Sequence, residues 1–232
     1  MRAVVAFLLV VWIAGLTSAA RAGDAVVVEL FTSQGCSSCP PADKLLGELA
    51  QRDDVIALAL HVDYWDYIGW KDTFADPAYT QRQRGYAAAA GHRRIYTPQM
   101  VIGGVDHVIG YRPMDVADTI QRHRSTNPVV DVRASIDGGT VTILADASQE
   151  GTGPYLVQLV SFTAAQTVDV RRGENAGRAL TYHNIVSGWT EVGQWNGSGR
   201  FTARAPVESG QSYAVLVQSV DHGAIAGAVR AR

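Results

Sequence analysis

From Ala25 to Phe31 the chain reads AVVVELF, a nearly unbroken β-branched apolar run of strand length, as expected for a strand covered on both faces. The turn residues Thr32-Ser33-Gln34-Gly35 end it. After Cys36-Ser37-Ser38-Cys39-Pro40-Pro41, the stretch Ala42 to Gln51 places Leu45, Leu46 and Leu49 on one helical face, and prolines suit a first helical turn. Val55 to Val62 is a second buried-strand run, so a right-handed βαβ unit is expected. Ala78 to Ala90 reads as a helix closed by Gly91. Thr97 to Ile102 and Val105 to Ile109 form a hairpin about Gly103-Gly104, and Met114 to Arg124 is a helix. Asn127-Pro128 marks a boundary.

Beyond it the rhythm becomes that of strands separated by turns. The runs are Val130–Ile136, Thr140–Ala145, Tyr155–Phe162, Thr167–Arg171, Ala179–Val186, Arg200–Ala205, Tyr213–Val220 and Ala224–Val229. Such spacing predicts an antiparallel sandwich or barrel.

Arg2, the apolar run Ala3 to Leu16 and Ala20-Arg21-Ala22 have the order of a secretory signal, so residues 1–22 are expected to be removed and the protein to be periplasmic or secreted. The apolar run is shorter than the roughly 20 residues of a spanning helix, so no membrane span is expected after cleavage. The whole chain is 47% hydrophobic and 18% charged with a net charge of −2, which suits a globular protein with a real core. No Lys/Arg block appears, and nucleic acid is not an expected partner.

The chain has two cysteines, Cys36 and Cys39. A disulfide across so short a loop removes little unfolded-state entropy, so the pair needs a reason other than stability. A sulfur at the start of a helix meets unpaired N–H groups and the positive end of the dipole, which favour a thiolate. Cys36 is therefore expected to be the exposed attacking sulfur, with Cys39 more buried and resolving the mixed disulfide. Thr97-Pro98, opening an antiparallel strand, should arrive at the sheet edge where the parallel strands end, beside Cys36. Glu29 sits in the first apolar strand, where a buried carboxylate could take a proton from Cys39 or pair with a buried basic group. Asp63, Tyr64 and Trp65 follow the second strand and could line a substrate groove or pack over the sheet end. The segment Gly173-Glu174-Asn175 suits turn geometry.

A C-x-x-C where a first strand meets its helix, with Thr97-Pro98 opening a later hairpin strand, resembles the thioredoxin superfamily. In that superfamily the proline is cis and packs beside the cysteines. The stretch from Glu29 to Asp43, with His61-Val62-Asp63-Tyr64-Trp65-Asp66 and Gly173-Glu174-Asn175, resembles the secreted bacterial family called domain of unknown function 1223. This resemblance implies an α/β thioredoxin-like domain over residues 23–127, and the strand spacing beyond it an all-β antiparallel sandwich-like domain over 128–232. Ser37-Ser38 stand where thioredoxins have Gly-Pro.

The expected activity is that of an exported thiol–disulfide oxidoreductase, acting on the thiols or disulfides of a protein or small molecule and served by a redox partner. It needs no cofactor and no metal. The alternatives are a non-catalytic binding module and, less favoured, a copper- or zinc-binding protein, since two thiolates fall short of a structural zinc site's four ligands.

Overall fold

The computed structural model describes residues 25–232, and the expected signal segment 1–22 lies outside them. Strand β1 (Val26–Thr32) and strand β2 (Val55–His61) run parallel, with Val26 opposite Val55 and Thr32 opposite His61. All residues of both strands are buried, as their unbroken apolar pattern requires. Helix α1 (Pro40–Leu49) connects them, so the chain leaves both strands at one sheet edge. Helix α2 (Pro77–Ala89) is capped by the Asp76 carboxylate, which accepts the Ala78 N–H. Strand β3 (Gln99–Ile102) lies antiparallel to β1 with Gln99 opposite Phe31, β4 (Asp106–Ile109) pairs with β3, and α3 (Pro113–Arg124) follows.

The later strands are β5 (Val130–Asp137), β6 (Thr140–Ala147), β7 (Tyr155–Val170), β8 (Arg178–Trp195), β9 (Phe201–Pro206), β10 (Ser212–Ser219) and β11 (Ile225–Ala231). The runs expected over Tyr155–Phe162 and Thr167–Arg171 join, up to Val170, in the one long strand β7. It pairs with the still longer β8 and changes register between Val157 and Gln158 and again between Ser161 and Phe162. Such shifts let a two-part pattern follow one strand around a bend.

The expected α/β thioredoxin-like domain followed by a sandwich-like domain is overturned. The fold is mostly β, with one eight-stranded mixed sheet in the order β11-β10-β7-β8-β2-β1-β3-β4 and a three-stranded sheet β5-β6-β9. The large sheet takes strands from both sides of Asn127-Pro128. The physical cause lies at β2, whose outer backbone groups would otherwise form an open edge. β8 runs alongside it in parallel with Ile185 opposite Ala59, and the Asn184 side chain donates to the Ala57 carbonyl at 2.9 Å. Burial follows the same continuity. Phe31, Leu58, Leu60 and Tyr86 share one cluster with Val160, Phe162, Val186, Ala214 and Leu216.

On the opposite face of β1 and β3, α1 and α3 pack through Leu30, Ala42, Leu46, Val116 and Ile120. At the far end, the three-stranded sheet packs Val132, Val141 and Ile143 against Val157, Val215 and Val217. Alternate residues of β10 thus enter different clusters, which buries that strand on both faces. Gly47 of α1 admits the His183 ring, since a Cβ there would lie 2.5 Å from it, and the helix rests flush on β8.

Candidate functional site

Between β1 and α1 the chain makes a short run of turns: the Cys36 N–H donates to the Ser33 carbonyl at 3.1 Å and the Cys39 N–H to the Cys36 carbonyl at 3.2 Å. Cys39 is the N-cap of α1, and its carbonyl accepts from Ala42 and Asp43 at 2.8 and 3.1 Å. Cys36 and Cys39 are joined as a disulfide with a Cα–Cα distance of 5.4 Å. Two expectations need correction. Cys39, not Cys36, occupies the helix end, and both cysteines are 0% exposed, whereas Ser37 and Ser38 between them face solvent.

Two other parts of the chain cover the cysteine loop. Trp65 and Ile68 lie on Gly35, where a Cβ would stand 3.3 and 3.1 Å from their side chains. The second cover is the tip of the β7–β8 hairpin. The buried Asn175 amide donates to the carbonyls of Gln34 and Cys36, each at 2.9 Å, and its oxygen accepts from Arg178 at 2.8 Å. The Glu174 carboxylate accepts the Ser37 N–H at 3.2 Å. Gly173-Glu174-Asn175, read from sequence as turn residues, therefore hold the cysteine loop in place. Replacing Asn175 with alanine removes two amide bonds from buried carbonyls and is expected to cost about 1–3 kcal/mol. The disulfide of that variant should be reduced faster by a water-soluble phosphine, and an unchanged reduction rate would show that the hairpin tip does not restrict access.

Residues Asp63, Tyr64 and Trp65 lie at the C-terminal end of β2, and each is tied to a neighbour. Asp63 accepts from the Thr80 hydroxyl, the Tyr64 hydroxyl donates to Gln83 at 3.2 Å, and the Trp65 indole donates to Thr97 at 2.8 Å. Burial pushes the Tyr64 phenol up to about 12, so it stays protonated across the physiological range. Gln83 in turn donates to the Tyr96 carbonyl and to Gln99, each at 2.7 Å. Together these bonds fasten the chain around Thr97 and Pro98 to α2. The Thr97–Pro98 bond is cis and Pro98 is buried. Pro98 and Ala42 of α1 both flank Gly110, whose Cβ would lie 3.2 and 3.0 Å from their Cβ atoms, which puts the proline in the neighbourhood of the start of the cysteine helix.

Glu29 is fully buried and paired with a cation: Arg82 Nε reaches Oε1 at 2.6 Å and a second guanidinium nitrogen reaches Oε2 at 3.2 Å. The Tyr86 hydroxyl also donates to this carboxylate. Alternation along β1 puts Glu29 on the α2 side with Val27 and Phe31, whereas Val28 and Leu30 face α1.

The buried acid on the cysteine side is Asp43, one helical turn after Cys39. Its Oδ1 accepts from Thr32 at 2.7 Å, and Oδ2 bonds no protein atom. His61, at the end of β2, contacts the Asp72 carboxylate through Nδ1 at 2.8 Å. The same Asp72 oxygen accepts the Gln34 N–H at 2.7 Å, which links that pair to the cysteine loop. Asp43 and Asp72 were not singled out from the sequence. The signal that could have found Asp43 is helical spacing, because positions 39 and 43 share a helix face. No comparable signal exists for Asp72, which lies in an irregular stretch.

Burial is the largest effect on Asp43 and pushes its carboxyl from 3.8 up to about 7, while His61 and the Thr32 hydroxyl pull it down less strongly. Between those values the folded chain holds a proton that the unfolded chain releases, so the contribution of this group to stability is full below about pH 4 and lost as pH rises through about 7. Asp43→Asn is neutral at every pH and keeps an acceptor for Thr32. It is expected to be more stable than the parent at about pH 8, by about 2–4 kcal/mol, with the gap closing toward about pH 4. Urea titrations at the two pH values measure this, and a gap that is constant with pH would refute it.

Among known structures, a crystal structure of a protein from Agrobacterium tumefaciens is 37% identical and matches 88% of this chain and 92% of its own, with a TM-score of 0.77. HBP35 of Porphyromonas gingivalis shares the fold at 15% identity, with a TM-score of 0.65 over 90% of this chain and 74% of its own. No protein of curated function matches. The family described as "Protein of unknown function (DUF1223)" matches residues 27–218, which is most of the chain, and the protein belongs to that family.

Proposed function

We propose that this protein is an exported thiol–disulfide oxidoreductase, working in the periplasm or outside the cell on protein or small-molecule thiols through Cys36 and Cys39. The observation that carries this reading is a disulfide spanning only three positions, held ahead of a helix, with the cis Pro98 and Ala42 of that helix both beside Gly110. A loop so short gives the bond little value as a staple. The export half of the reading is supported by the residue pattern of 1–22.

In the oxidised state a partner thiolate attacks Cys36 Sγ. The Cys36–Cys39 bond breaks, a mixed disulfide forms, and Cys39 leaves as a thiolate that takes up a proton. A second thiol of the partner then displaces Cys36, which completes reduction of the pair and oxidation of the partner to a disulfide. The reverse sequence reduces a substrate disulfide. Cys36 is assigned the attacked position because the exposed Ser37 follows it and the hydroxyl of the exposed Ser38 lies 3.4 Å from its sulfur, while Cys39 lies at the cap of α1.

Complete burial of both sulfurs favours a second reading, a binding module in which the disulfide only fixes the loop. Two measurements separate these readings. After reduction, an oxidoreductase should alkylate at Cys36 much faster than at Cys39 at about pH 6, and it should catalyse insulin reduction by a small dithiol. Equal, slow alkylation with no catalysis would leave the binding module.

A further inference from the structure

We infer that Asp43 is the group that takes the proton from Cys39 and gives it back, working beside a cluster of buried polar side chains, Thr32, His61, Asp72 and Tyr182. This rests on the oxidoreductase reading and assigns its proton-handling residue.

Three buried polar atoms in this region bond no other protein atom: Asp43 Oδ2, His61 Nε2 and the Tyr182 hydroxyl. They come from α1, β2 and β8. In folded proteins such groups are nearly always paired, and each unpaired one costs stability, so three converging at one place need a reason. The contacts fix their arrangement. Thr32 and His61 are opposite one another across the parallel β1–β2 pair, and Thr32 holds Asp43. The His61 ring stacks edge-on against Tyr182 with centroids 4.8 Å apart. The cluster thus lies at the C-terminal ends of β1 and β2, where the cysteine loop begins, and Asp72 is bonded to that loop through Gln34.

Glu29 cannot serve instead. It is locked to Arg82 and faces the other side of β1. Asp43 has no cation in contact, keeps one carboxylate oxygen unengaged, and lies one turn from Cys39 on the same helix face. The charged or titratable groups facing it are His61 from β2, Asp72 from the loop before α2, and Tyr182 from β8, the last with Arg178 near it. Burial sets the Asp43 carboxyl near neutrality, where a group can both accept and return a proton.

When Cys36 carries a substrate in mixed disulfide, Cys39–SH passes its proton to the Asp43 carboxylate. The Cys39 thiolate then attacks Cys36 Sγ, the Cys36–Cys39 bond forms, and the bond from Cys36 to the substrate sulfur breaks. The substrate leaves as a thiolate, so the substrate is reduced and the cysteine pair oxidised. In the opposite direction Asp43 protonates Cys39 as it leaves.

The test uses the reduced full-length mature protein and 5,5′-dithiobis(2-nitrobenzoate). Release of the first thionitrobenzoate reports attack by Cys36, and release of the second reports resolution by Cys39. In the parent, the second phase is expected to rise with pH about an inflection near 7. Asp43→Asn should slow that phase by about 10²-fold at neutral pH and shift its inflection to the ordinary thiol range, leaving the first phase unchanged. Asp43→Glu should restore part of the rate and the lower inflection. A second phase of normal rate and profile in Asp43→Asn would overturn the assignment of Asp43 alone. If the parent shows no second phase while Cys36 and Cys39 are both reduced, the oxidoreductase reading falls and takes this inference with it.

Discussion

Replacing Arg82 with alanine is expected to destabilise the protein by about 3–5 kcal/mol, because it leaves the Glu29 charge buried with no counter-ion. The loss is a large fraction of the roughly 5–15 kcal/mol that holds a typical domain folded. Arg82 is 8% exposed and makes more than the ion pair. Its guanidinium donates to the Tyr86 hydroxyl at 2.7 Å and to Gln218 at 3.0 Å, and it lies over the Trp189 ring at 3.9 Å. Gln218 also donates to Tyr86 at 3.0 Å. Four elements, β1, α2, β8 and β10, therefore meet at one cation, and the early and late parts of the chain are fastened together there. The double variant Arg82→Met, Glu29→Leu removes both charges and should recover most of the loss, since well-packed apolar pairs often match buried ion pairs. Urea unfolding monitored by tryptophan fluorescence measures both. A loss below about 1 kcal/mol in Arg82→Ala, the size of an exposed pair, would show that this network is not a structural joint.

Cys36→Ser is expected to abolish thiol–disulfide exchange completely and to cost only about 2 kcal/mol of stability. The second figure follows from chain entropy: a loop of about four residues restricts the unfolded state much less than a long loop would. Serine at this position cannot form or break a disulfide, so insulin reduction should fall to the rate without protein. Cys39→Ser should behave differently. Its Cys36 can still attack, but with no resolving sulfur the mixed disulfide accumulates and is detectable as a mass increase on the intact chain. Residual catalysis in Cys36→Ser would remove this cysteine from the proposed mechanism. A stability loss matching that of Arg82→Ala, with no exchange in the parent, would make the disulfide a structural staple.

The two changes separate roles that the sequence suggested together. Glu29 and the cysteines lie within a few residues of one another along the chain, and a carboxylate in an apolar strand invites a chemical role. Its partner Arg82 is more than fifty residues away, in a helix whose Ala, Gln and Arg content gives no sign of a buried charge. Asp43 is the opposite case. It looked like an ordinary acidic residue in a first helical turn, and it becomes distinctive only because β8 and the end of β2 close around it.

Local order was legible because it depends on local causes. The β-branched runs of β1 and β2, the prolines opening α1, α2 and α3, and the Gly103-Gly104 turn each fix backbone conformation through their own sterics and periodicity. Helix and strand positions before Arg124 accordingly lie within a few residues of those expected from the sequence. The chain also determined by itself that its two sulfurs stand three residues apart, because that is covalent distance. The joining of both halves into one sheet was decided only in three dimensions. The open side of β2 can be satisfied by any strand with free backbone groups, and nothing in the side-chain pattern of β8 names its partner. The hold of Asn175 on the cysteine loop and the packing of Tyr182 on His61 follow from that pairing, through contacts between residues more than a hundred positions apart, and such contacts leave no periodicity for a sequence to show.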